Sequence, residues 1–391
     1  MRMARSRYEG SRYFSQVSAG SRTWPSASTT RALTEVVMVV SLRVASSAGG
    51  GYCIPVSRLP LRLGVVYDFR NPPDSRMPTP RLYAEILEQV AWLDTLGLDL
   101  VWFTEHHFVE DGYLPAWTPV AGAMAARTSR VRFSSDICLL PFANPVRLAE
   151  DLAVLDNLSD GRIEIGVGMG YAPHEFRGFG IPLPQRLSRM EEGLHVLTRA
   201  FTGERFSFHG KRYDFDDVVI RPRYVQPSGP PLWIAAMSAS GAARAARFDA
   251  HLLPQGERAQ VLDPWRDAVR AAGRSPDERR VGIIRSCFVT DDPERDWPAV
   301  RAAERYRGEL YNRFFAESGQ ERSWYHAGPR IPQTWVVGDV EHCVAELSAF
   351  IADHGITDLV TWAVPPGVRP AQMNRSLERF ALEIAPRLKS I

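Results

Sequence analysis

The 391-residue chain has few cysteines and no long apolar run. Its cysteines lie far apart and form no CxxC pair; they are Cys53, Cys138, Cys287 and Cys343. Zinc sites and disulfide frameworks use closely and regularly spaced cysteines, so we expect neither a metal site nor disulfides. No apolar stretch approaches the ~18 residues of a membrane-spanning helix. These absences fit a cytoplasmic protein that does not use a membrane as a partner.

A strong excess of one charge is also missing, because the net charge at pH 7 is only +2. The basic residues are concentrated at the start, where residues 1–60 carry eight arginines and two acidic side chains. The rest of the chain is mildly acidic and gives no indication of a nucleic-acid partner. An apolar content of 45% and a charged content of 24% are typical of a globular protein.

Residues 1–57 are rich in Ser, Arg, Gly and Ala and show no sustained helical or strand period. Arg- and Ser-rich N termini with few acidic residues resemble transit peptides. The same composition is found in disordered tails, and it also fits translated sequence upstream of the true start. We favour a disordered or mis-assigned N-terminal extension over 1–57, followed by one folded domain over 58–391.

From Leu61 onward, apolar runs rich in β-formers alternate with amphipathic helical segments such as Arg81–Leu96. This alternation predicts parallel βαβ units, and eight units close into an α/β fold, the (β/α)8 TIM barrel. An open doubly wound sheet is the alternative, but no GxGxxG motif follows the first strand. Residues 291–335 are too long for a simple connection and predict a lid insertion. The predicted strands are Leu61–Phe69, Leu98–His107, Val131–Leu140, Arg162–Gly168, Pro230–Met237, Ala250–Pro254, Val281–Thr290 and Ile356–Val364.

Functional groups of such barrels lie at the C-terminal ends of the strands. The second strand ends in Glu105, His106 and His107, and a buried strand gains nothing from two adjacent histidines. Alternation places Glu105 and His107 on one face and His106 on the other. One imidazole is therefore expected to face a pocket, where it can move a proton near neutral pH. A rim histidine bonded to a backbone carbonyl is the alternative that we favour less.

Two other strand ends carry small residues. The glycines of Gly166–Gly170 permit a tight bend and the close approach of a flat ligand. The turn Ser238–Gly241 precedes a helix, whose free N–H groups can bind an anion. Each feature alone also fits a bulge or an ordinary helix cap. Together with the histidines, they indicate a phosphorylated planar cofactor.

Eight stretches between Leu61 and Leu388 match a known family. They are Glu105–Phe108, Leu140–Arg147, Ala149–Asp151, Leu155–Arg162, Gly166–Gly170, Glu175–Gly180, Pro230–Ala236 and Val337–Asp339. In these motifs the chain resembles the bacterial luciferase-like family of flavin-dependent oxidoreductases. The resemblance implies a TIM barrel with insertions and a catalytic domain over residues 58–391.

The resemblance also implies that reduced flavin mononucleotide (FMN) lies across the strand ends. Glu105, His106 and His107 match residues beside flavin and substrate, and His106 matches the one with an acid–base role. Asp136 and Ile137 match a bulge that supports the flavin ring and often holds a cis peptide bond between residues other than proline. The implied cofactor-binding residues are Asp136, Ile137, Gly168, Met169, Gly170, Met237, Ser238, Ala239, Ser240 and Gly241.

One position departs from luciferase itself. Gly168 and Met169 stand where luciferase carries a reactive cysteine and a phosphate-binding arginine. Light emission is therefore not implied, and phosphate binding is expected to depend on the loop Met237–Gly241. Residues 291–330 match a mobile lid over the pocket.

The implied function is a two-component monooxygenase. Reduced FMN from a separate flavin reductase reacts with O2 to give a flavin hydroperoxide, which oxygenates a small organic substrate in a dry site. A deazaflavin-dependent oxidoreductase that transfers hydride without O2 is one alternative, and a non-catalytic flavin-binding protein is another. A metal-dependent hydrolase using Glu105 and His107 lacks further ligands at suitable spacing. Relatives often form homodimers through helices beside strands two and three, and we expect the same here.

Overall fold

The computed structural model describes residues 59–320, 331 and 334–390. The predicted extension over 1–57 and part of the predicted lid lie outside these residues. Within the described part of the chain, no helix is long and apolar enough to cross a membrane.

Strands and helices alternate from the first described residues to the last. The strands are β1 (Arg62–Tyr67), β2 (Leu100–Phe103), β3 (Arg132–Ser135), β4 (Cys138–Leu139), β5 (Ile165–Gly168), β6 (Phe206–His209), β7 (Asp214–Val218), β8 (Leu232–Ala236), β9 (His251–Pro254), β10 (Gly282–Ile284), β11 (Ser286–Val289), β12 (Trp335–Gly338) and β13 (Asp358–Trp362). The α-helices are α1 (Thr79–Thr95), α2 (Trp117–Ala125), α3 (Pro145–Ser159), α4 (Pro173–Gly178), α5 (Arg186–Phe201), α6 (Ala239–Arg247), α7 (Arg258–Ala271), α8 (Pro293–Glu317), α9 (Val340–His354), α10 (Pro370–Arg379) and α11 (Ala385–Lys389).

The parallel strands form a closed ring. One run has the order β10-β13-β1-β2-β3, and a second has the order β4-β5-β8-β9. Parallel bridges from Phe133 to Ile163 and from Leu252 to Val281 join the two runs at both seams. The TIM barrel predicted from the alternation of strands and helices is therefore confirmed.

Two predicted strands are interrupted. The prediction Val131–Leu140 is split into β3 and β4 around a cis peptide bond between Asp136 and Ile137. The prediction Val281–Thr290 is split at Arg285, because β10 pairs with β13 whereas β11 pairs with β12. The strand β12 was not predicted, and it forms a small parallel pair beside the barrel. Both interruptions lie at the cavity end of the barrel.

The helix α8 lies within the predicted lid insertion over 291–335. Asp292 caps its N terminus by accepting a hydrogen bond from the Arg295 N–H, and Pro293 occupies its first position. One face of the helix is buried, and that face includes both apolar and charged side chains: Trp297, Val300, Ala303, Glu304, Arg307, Gly308, Leu310, Phe314 and Phe315. The mixed character of this face explains why the sequence pattern predicted a partly helical lid segment without bounds for the helix.

A buried ion-pair network closes the N-terminal end of the barrel. Glu164 accepts hydrogen bonds from Arg62 at 2.6 Å, from Arg132 at 2.5 Å and from the Trp233 indole at 2.8 Å. Burial acts to raise the pKa of Glu164, but the two arginines lower it well below its usual range. Above this network, the rings of Trp102 and Trp233 meet edge to face at 5.9 Å inside the barrel. The opposite end of the barrel is left for a cavity.

Candidate active site

A cavity of about 660 Å³ opens at the C-terminal ends of the strands. Its walls come from the ends of β2, β5, β8, β9 and β10, from the segment around the Asp136–Ile137 bond, and from α8. Most of the residues predicted for the site line this cavity, namely Glu105, His106, Asp136, Ile137, Gly168, Met169, Gly170, Met237, Ser238, Ser240 and Gly241. The lining does not include His107 or Ala239.

His106 faces the cavity and is held from behind by Glu175. Its Nδ1 lies 2.8 Å from Glu175 Oε1, and the same oxygen accepts a hydrogen bond from the His107 backbone N–H at 2.9 Å. Burial acts to raise the pKa of Glu175, but the hydrogen bonds and the charge of His106 bring it below its ordinary value. An ionised Glu175 requires a proton on Nδ1, so Nε2 is the nitrogen available for proton transfer.

Aromatic rings surround the His106 imidazole. Tyr113 meets it edge-on at 4.8 Å, Phe314 lies at 4.9 Å and Tyr311 at 5.7 Å. The Tyr113 hydroxyl donates to the Thr104 hydroxyl at 2.8 Å and lies 2.8 Å from the Tyr311 hydroxyl. This shell reduces the access of water to the imidazole while keeping hydroxyl groups near it.

His107 differs from the prediction, because it packs outside the cavity. Its Nε2 contacts Glu105 Oε1 at 3.0 Å, as expected for two residues on the same face of an extended segment. Its ring packs edge-on against Phe142 at 5.7 Å and Phe179 at 4.7 Å. His107 therefore lies among aromatic side chains, contacts Glu105 and does not line the cavity.

The flat floor of the cavity is formed by Gly168, which has no side chain, and by Ile137, which packs against it. A Cβ atom on Gly168 would lie 1.9 Å from Ile137 Cδ1, and one on Gly166 would lie 2.0 Å from the Ser135 carbonyl oxygen. The cis peptide bond between Asp136 and Ile137, implied by the family resemblance, is present. The floor can therefore support a planar ring system.

One end of the cavity is built for an anion. The Ser238 hydroxyl caps α6 by accepting a hydrogen bond from the Gly241 N–H at 3.4 Å, and it lies 3.0 Å from the Ser240 hydroxyl. Two cationic side chains that were not predicted, Arg186 and Arg244, also line the cavity. Arg244 is fixed by Glu191, which accepts its Nε–H at 2.7 Å. Hydroxyl groups, a helix N terminus and guanidinium groups together suit a phosphate.

The helix α8 forms the wall opposite this floor. The guanidinium group of Arg307 lies 3.6 Å from the centre of the Trp362 ring and 3.2 Å from Asp68 Oδ2. Arg307 also contacts Glu304, whose other oxygen accepts the Trp335 indole N–H at 2.8 Å. Burial raises the pKa of Glu304, although Arg307 acts in the opposite direction. These contacts hold α8 against the barrel through charged groups whose role was not predicted from the sequence.

Glu175 and the two arginines are the main residues that sequence analysis did not select. Glu175 belongs to a motif used for the family resemblance, but its role depends on a contact 69 positions away along the chain. Arg186 and Arg244 carry no local signal that distinguishes them from other surface arginines. In the part of the chain that the structure describes, no group of three His, Cys, Asp or Glu side chains is arranged to hold a metal ion.

A histidine–carboxylate pair, a flat floor and an anion-binding turn around one strand-end cavity define a TIM-barrel protein suited to a phosphorylated planar cofactor. Comparison with known families makes this class specific. Residues 61–358 match the family described as luciferase-like monooxygenase, and the chain belongs to this family.

Several relatives have assigned activities. The 4-hydroxyprotoasukamycin monooxygenase of Streptomyces nodosus subsp. asukaensis is 28% identical over 327 residues, which cover 77% of this chain and 85% of that protein. The F420-dependent glucose-6-phosphate dehydrogenase of Amycolatopsis mediterranei is 25% identical over 78% of this chain and 95% of that protein. For two uncharacterized Sinorhizobium fredii proteins, y4vJ and y4wF, the match spans 60% and 66% of their length.

The monooxygenase RslO1 from Streptomyces bottropensis has a similar solved structure. It aligns with a TM-score of 0.70 at 26% identity, covering 83% of this chain and 99% of RslO1. The chain is thus a member of an oxidoreductase family that includes monooxygenases and F420-dependent enzymes.

Proposed function

We propose that the protein is a flavin-dependent monooxygenase that uses reduced FMN and O2 to oxygenate a small organic substrate. One observation carries the proposal: His106, held by Glu175, faces the same cavity as the flat floor and the anion-binding turn. The similarity to 4-hydroxyprotoasukamycin monooxygenase supports the reaction class. In this proposal, a separate flavin reductase supplies the reduced FMN.

The lining residues fit FMN in shape and charge. The floor at Ile137 and Gly168 accommodates a planar ring, since a Cβ at position 168 would clash with Ile137 Cδ1 and push that side chain out of the floor. Ser238, Ser240 and the free N–H groups of α6 would hold the phosphate. Arg186 and Arg244 replace the missing arginine at position 169 as the source of positive charge. When bound, reduced FMN supplies two electrons for the activation of O2.

His106 is the proposed acid–base residue. Glu175 keeps the proton on Nδ1, so Nε2 can take a proton from the substrate or return one to it. Tyr113, Tyr311 and Phe314 surround the imidazole and exclude water, which limits wasteful loss of the oxidising equivalent. The substrate is proposed to lie between His106 and α8, where the cavity extends beyond the floor.

A cofactor titration tests this proposal. Purified protein is titrated without O2 with reduced FMN and, separately, with reduced F420, and binding is followed by fluorescence. We expect tight binding of reduced FMN and consumption of O2 when air is admitted. The similarity to F420-dependent glucose-6-phosphate dehydrogenase favours the deazaflavin alternative. Binding of reduced F420 alone, with hydride transfer that needs no O2, would establish that alternative instead.

The proposed assembly is a homodimer formed through α2 and α3. Val154 and Leu158 of α3 are 45% and 60% exposed, and their spacing of four positions places both on one face of the helix. We expect a dimer by light scattering, and we expect Leu158→Asp to give a monomer that still binds FMN. A wild-type monomer at micromolar concentration would contradict this assembly.

A further inference from the structure

Asp136 places a carboxyl group in the floor of the cavity without a neighbouring cation among the described residues to neutralise its charge. The residue is 7% exposed, and within residues 59–320, 331 and 334–390 it has no ion pair. Its Oδ2 atom has no hydrogen-bond partner there, and Oδ1 is reached only by the Gln255 side-chain amide at 3.4 Å. Burial raises the pKa of Asp136 to about 7. An unpartnered buried carboxyl oxygen destabilises the fold unless a ligand satisfies it.

The position of Asp136 indicates which kind of ligand atom is missing. Asp136 lines the cavity beside Ile137 and Gly168, which together form the flat floor. Because a planar ring is the shape that this floor accommodates, the expected partner of Asp136 is a polar atom on that ring. The phosphate end, at Ser238 and Ser240, has its own hydroxyl and N–H groups and does not need this carboxyl.

The following inference rests on the proposed function. We propose that Asp136 discriminates between the redox states of the bound flavin, because it forms a stronger hydrogen bond with the reduced ring than with the oxidised ring. Two-electron reduction adds an N–H group to the flavin ring and increases its electron density. An ionised Asp136 accepts a hydrogen bond from the added N–H, whereas the same nitrogen of the oxidised ring has no hydrogen and presents a lone pair to the carboxylate. The ionised side chain therefore favours reduced flavin.

This preference would suit a protein that receives reduced flavin from elsewhere. A site that binds the reduced form more tightly collects it from a reductase and releases the oxidised form after turnover. Differential affinity for two forms of one ligand is the quantity that sets such a preference. Asp136 would then act before and after the chemical step, whereas His106 acts during it.

The test compares dissociation constants rather than activity. The Kd of oxidised FMN and the Kd of dithionite-reduced FMN are measured without O2 for the wild type, Asp136→Ala and Asp136→Asn. We expect Asp136→Ala to lower the ratio of oxidised to reduced Kd by about ten-fold, equivalent to about 1.4 kcal/mol. Asp136→Asn keeps the shape and a weaker hydrogen bond, so we expect an intermediate ratio. Loosened packing would weaken the binding of oxidised and reduced FMN alike, so its effect cancels in the ratio of the two Kd values.

Asp151→Asn is the matched control, because it removes one negative charge from an exposed pair with Arg147 on α3. We expect it to leave the ratio unchanged. If wild-type protein binds neither form of FMN, the proposed function fails. If the wild type binds FMN without preference, or if Asp136→Ala and Asp136→Asn keep the wild-type ratio, the role of Asp136 is overturned while the proposed function stands. Should Asp136→Ala not fold, the isosteric Asp136→Asn decides the outcome.

Discussion

At the scale of single residues, Glu175 determines which nitrogen of His106 meets the cavity. The Glu175 side chain is fully buried, and one of its oxygens holds both the His106 ring and the following backbone N–H. If this contact is lost, the imidazole can rotate or exchange its proton between nitrogens. Glu175 is therefore a positioning residue that acts through His106.

We expect Glu175→Ala to lower kcat by about 100-fold, the usual scale of a general acid–base contribution, while the Kd of reduced FMN stays within about two-fold. Glu175→Gln still accepts from Nδ1 and should recover part of the activity. Single-turnover product formation measures both variants. Glu317→Gln is the control, because Glu317 makes a similar contact to His174 at 2.7 Å on the surface. Equal loss of FMN binding and of kcat would contradict a positioning role.

A second residue-scale prediction concerns the floor. In Gly168→Ala, the new Cβ meets Ile137 Cδ1 at 1.9 Å, so the Ile137 side chain has to move toward the ring-binding space. We expect about ten-fold weaker FMN binding and a free energy of unfolding lower by about 1–3 kcal/mol. Fluorescence titration and urea denaturation measure the two effects.

Gly122→Ala on α2 is the matched control for this substitution. Its Cβ would lie 3.5 Å from Leu155 Cδ2, an ordinary contact, so a helix-favouring alanine should be neutral or stabilising there. Unchanged FMN affinity in Gly168→Ala would show that the floor does not contact the ring.

These residues also mark the limit of what the sequence could reveal. His106 and Gly168 were predictable because each stands at the end of an apolar strand, where local spacing alone places it at the rim. Glu175, Arg186 and Arg244 were not predictable, because their roles arise from contacts between distant segments that no local pattern records. His107 had the same sequence signal as His106, and only the packing of Phe142 and Phe179 separates the two.

At the scale of elements, local chemistry predicted most strands and helices but not their interruptions. The helix α3 shows both an N-cap at Asn144 and an apolar period in its sequence, and it forms as expected. The bounds of helix α8 were not predicted, because Glu304 and Arg307 occupy positions on its buried face that an amphipathic pattern reserves for apolar residues. β12 was missed because the strand that it pairs with, β11, lies about 50 residues earlier in the chain.

The buried charges of α8 give a prediction about that element. Arg307→Met keeps an apolar contact with Trp362 but leaves Asp68 and Glu304 without their cation. We expect a free energy of unfolding lower by about 3–5 kcal/mol, since removal of Arg307 leaves two buried carboxyl groups without a neutralising charge. Urea denaturation measures the loss. Arg313→Met, at an exposed position of the same helix, should change stability little; similar losses in both variants would show that the ion pairs do not anchor α8.

At the scale of the whole molecule, the residues that stabilise the barrel and the residues that line its cavity lie at opposite ends of the barrel axis. The cavity lies at the C-terminal ends of the strands, whereas the ion-pair network of Glu164 with Arg62 and Arg132 lies at the N-terminal ends. The eight-strand alternation in the sequence predicted this polarity, because parallel strands place all their C-terminal ends on one side. The network itself was unpredictable, since its members come from three different strands or strand starts.

The Glu164 network gives a pH-dependent prediction for the folded barrel. The folded-state pKa of Glu164 lies below the unfolded value, so its contribution to stability is complete above the unfolded pKa of about 4.3 and is lost as pH falls through the folded pKa. We expect Glu164→Gln to lower the free energy of unfolding by about 3–5 kcal/mol at pH 7, because Arg62 and Arg132 lose a buried anion. Below about pH 4 the difference between the two proteins should shrink progressively, since the unfolded wild-type chain takes up a proton on Glu164 before the folded chain does.

Urea midpoints measured from pH 7 down to about pH 2 check this expectation, with Glu341→Gln as the control because its pair with Arg387 is exposed. The control should follow the wild type at every pH. FMN binding should not depend on Glu164, because Glu164 lies at the other end of the barrel from Asp136 and His106. We therefore expect folded Glu164→Gln, measured without denaturing urea, to bind FMN like the wild type. A difference between Glu164→Gln and the wild type that stays constant from about pH 4 to about pH 2 would show that the stabilisation does not come from the charge of Glu164.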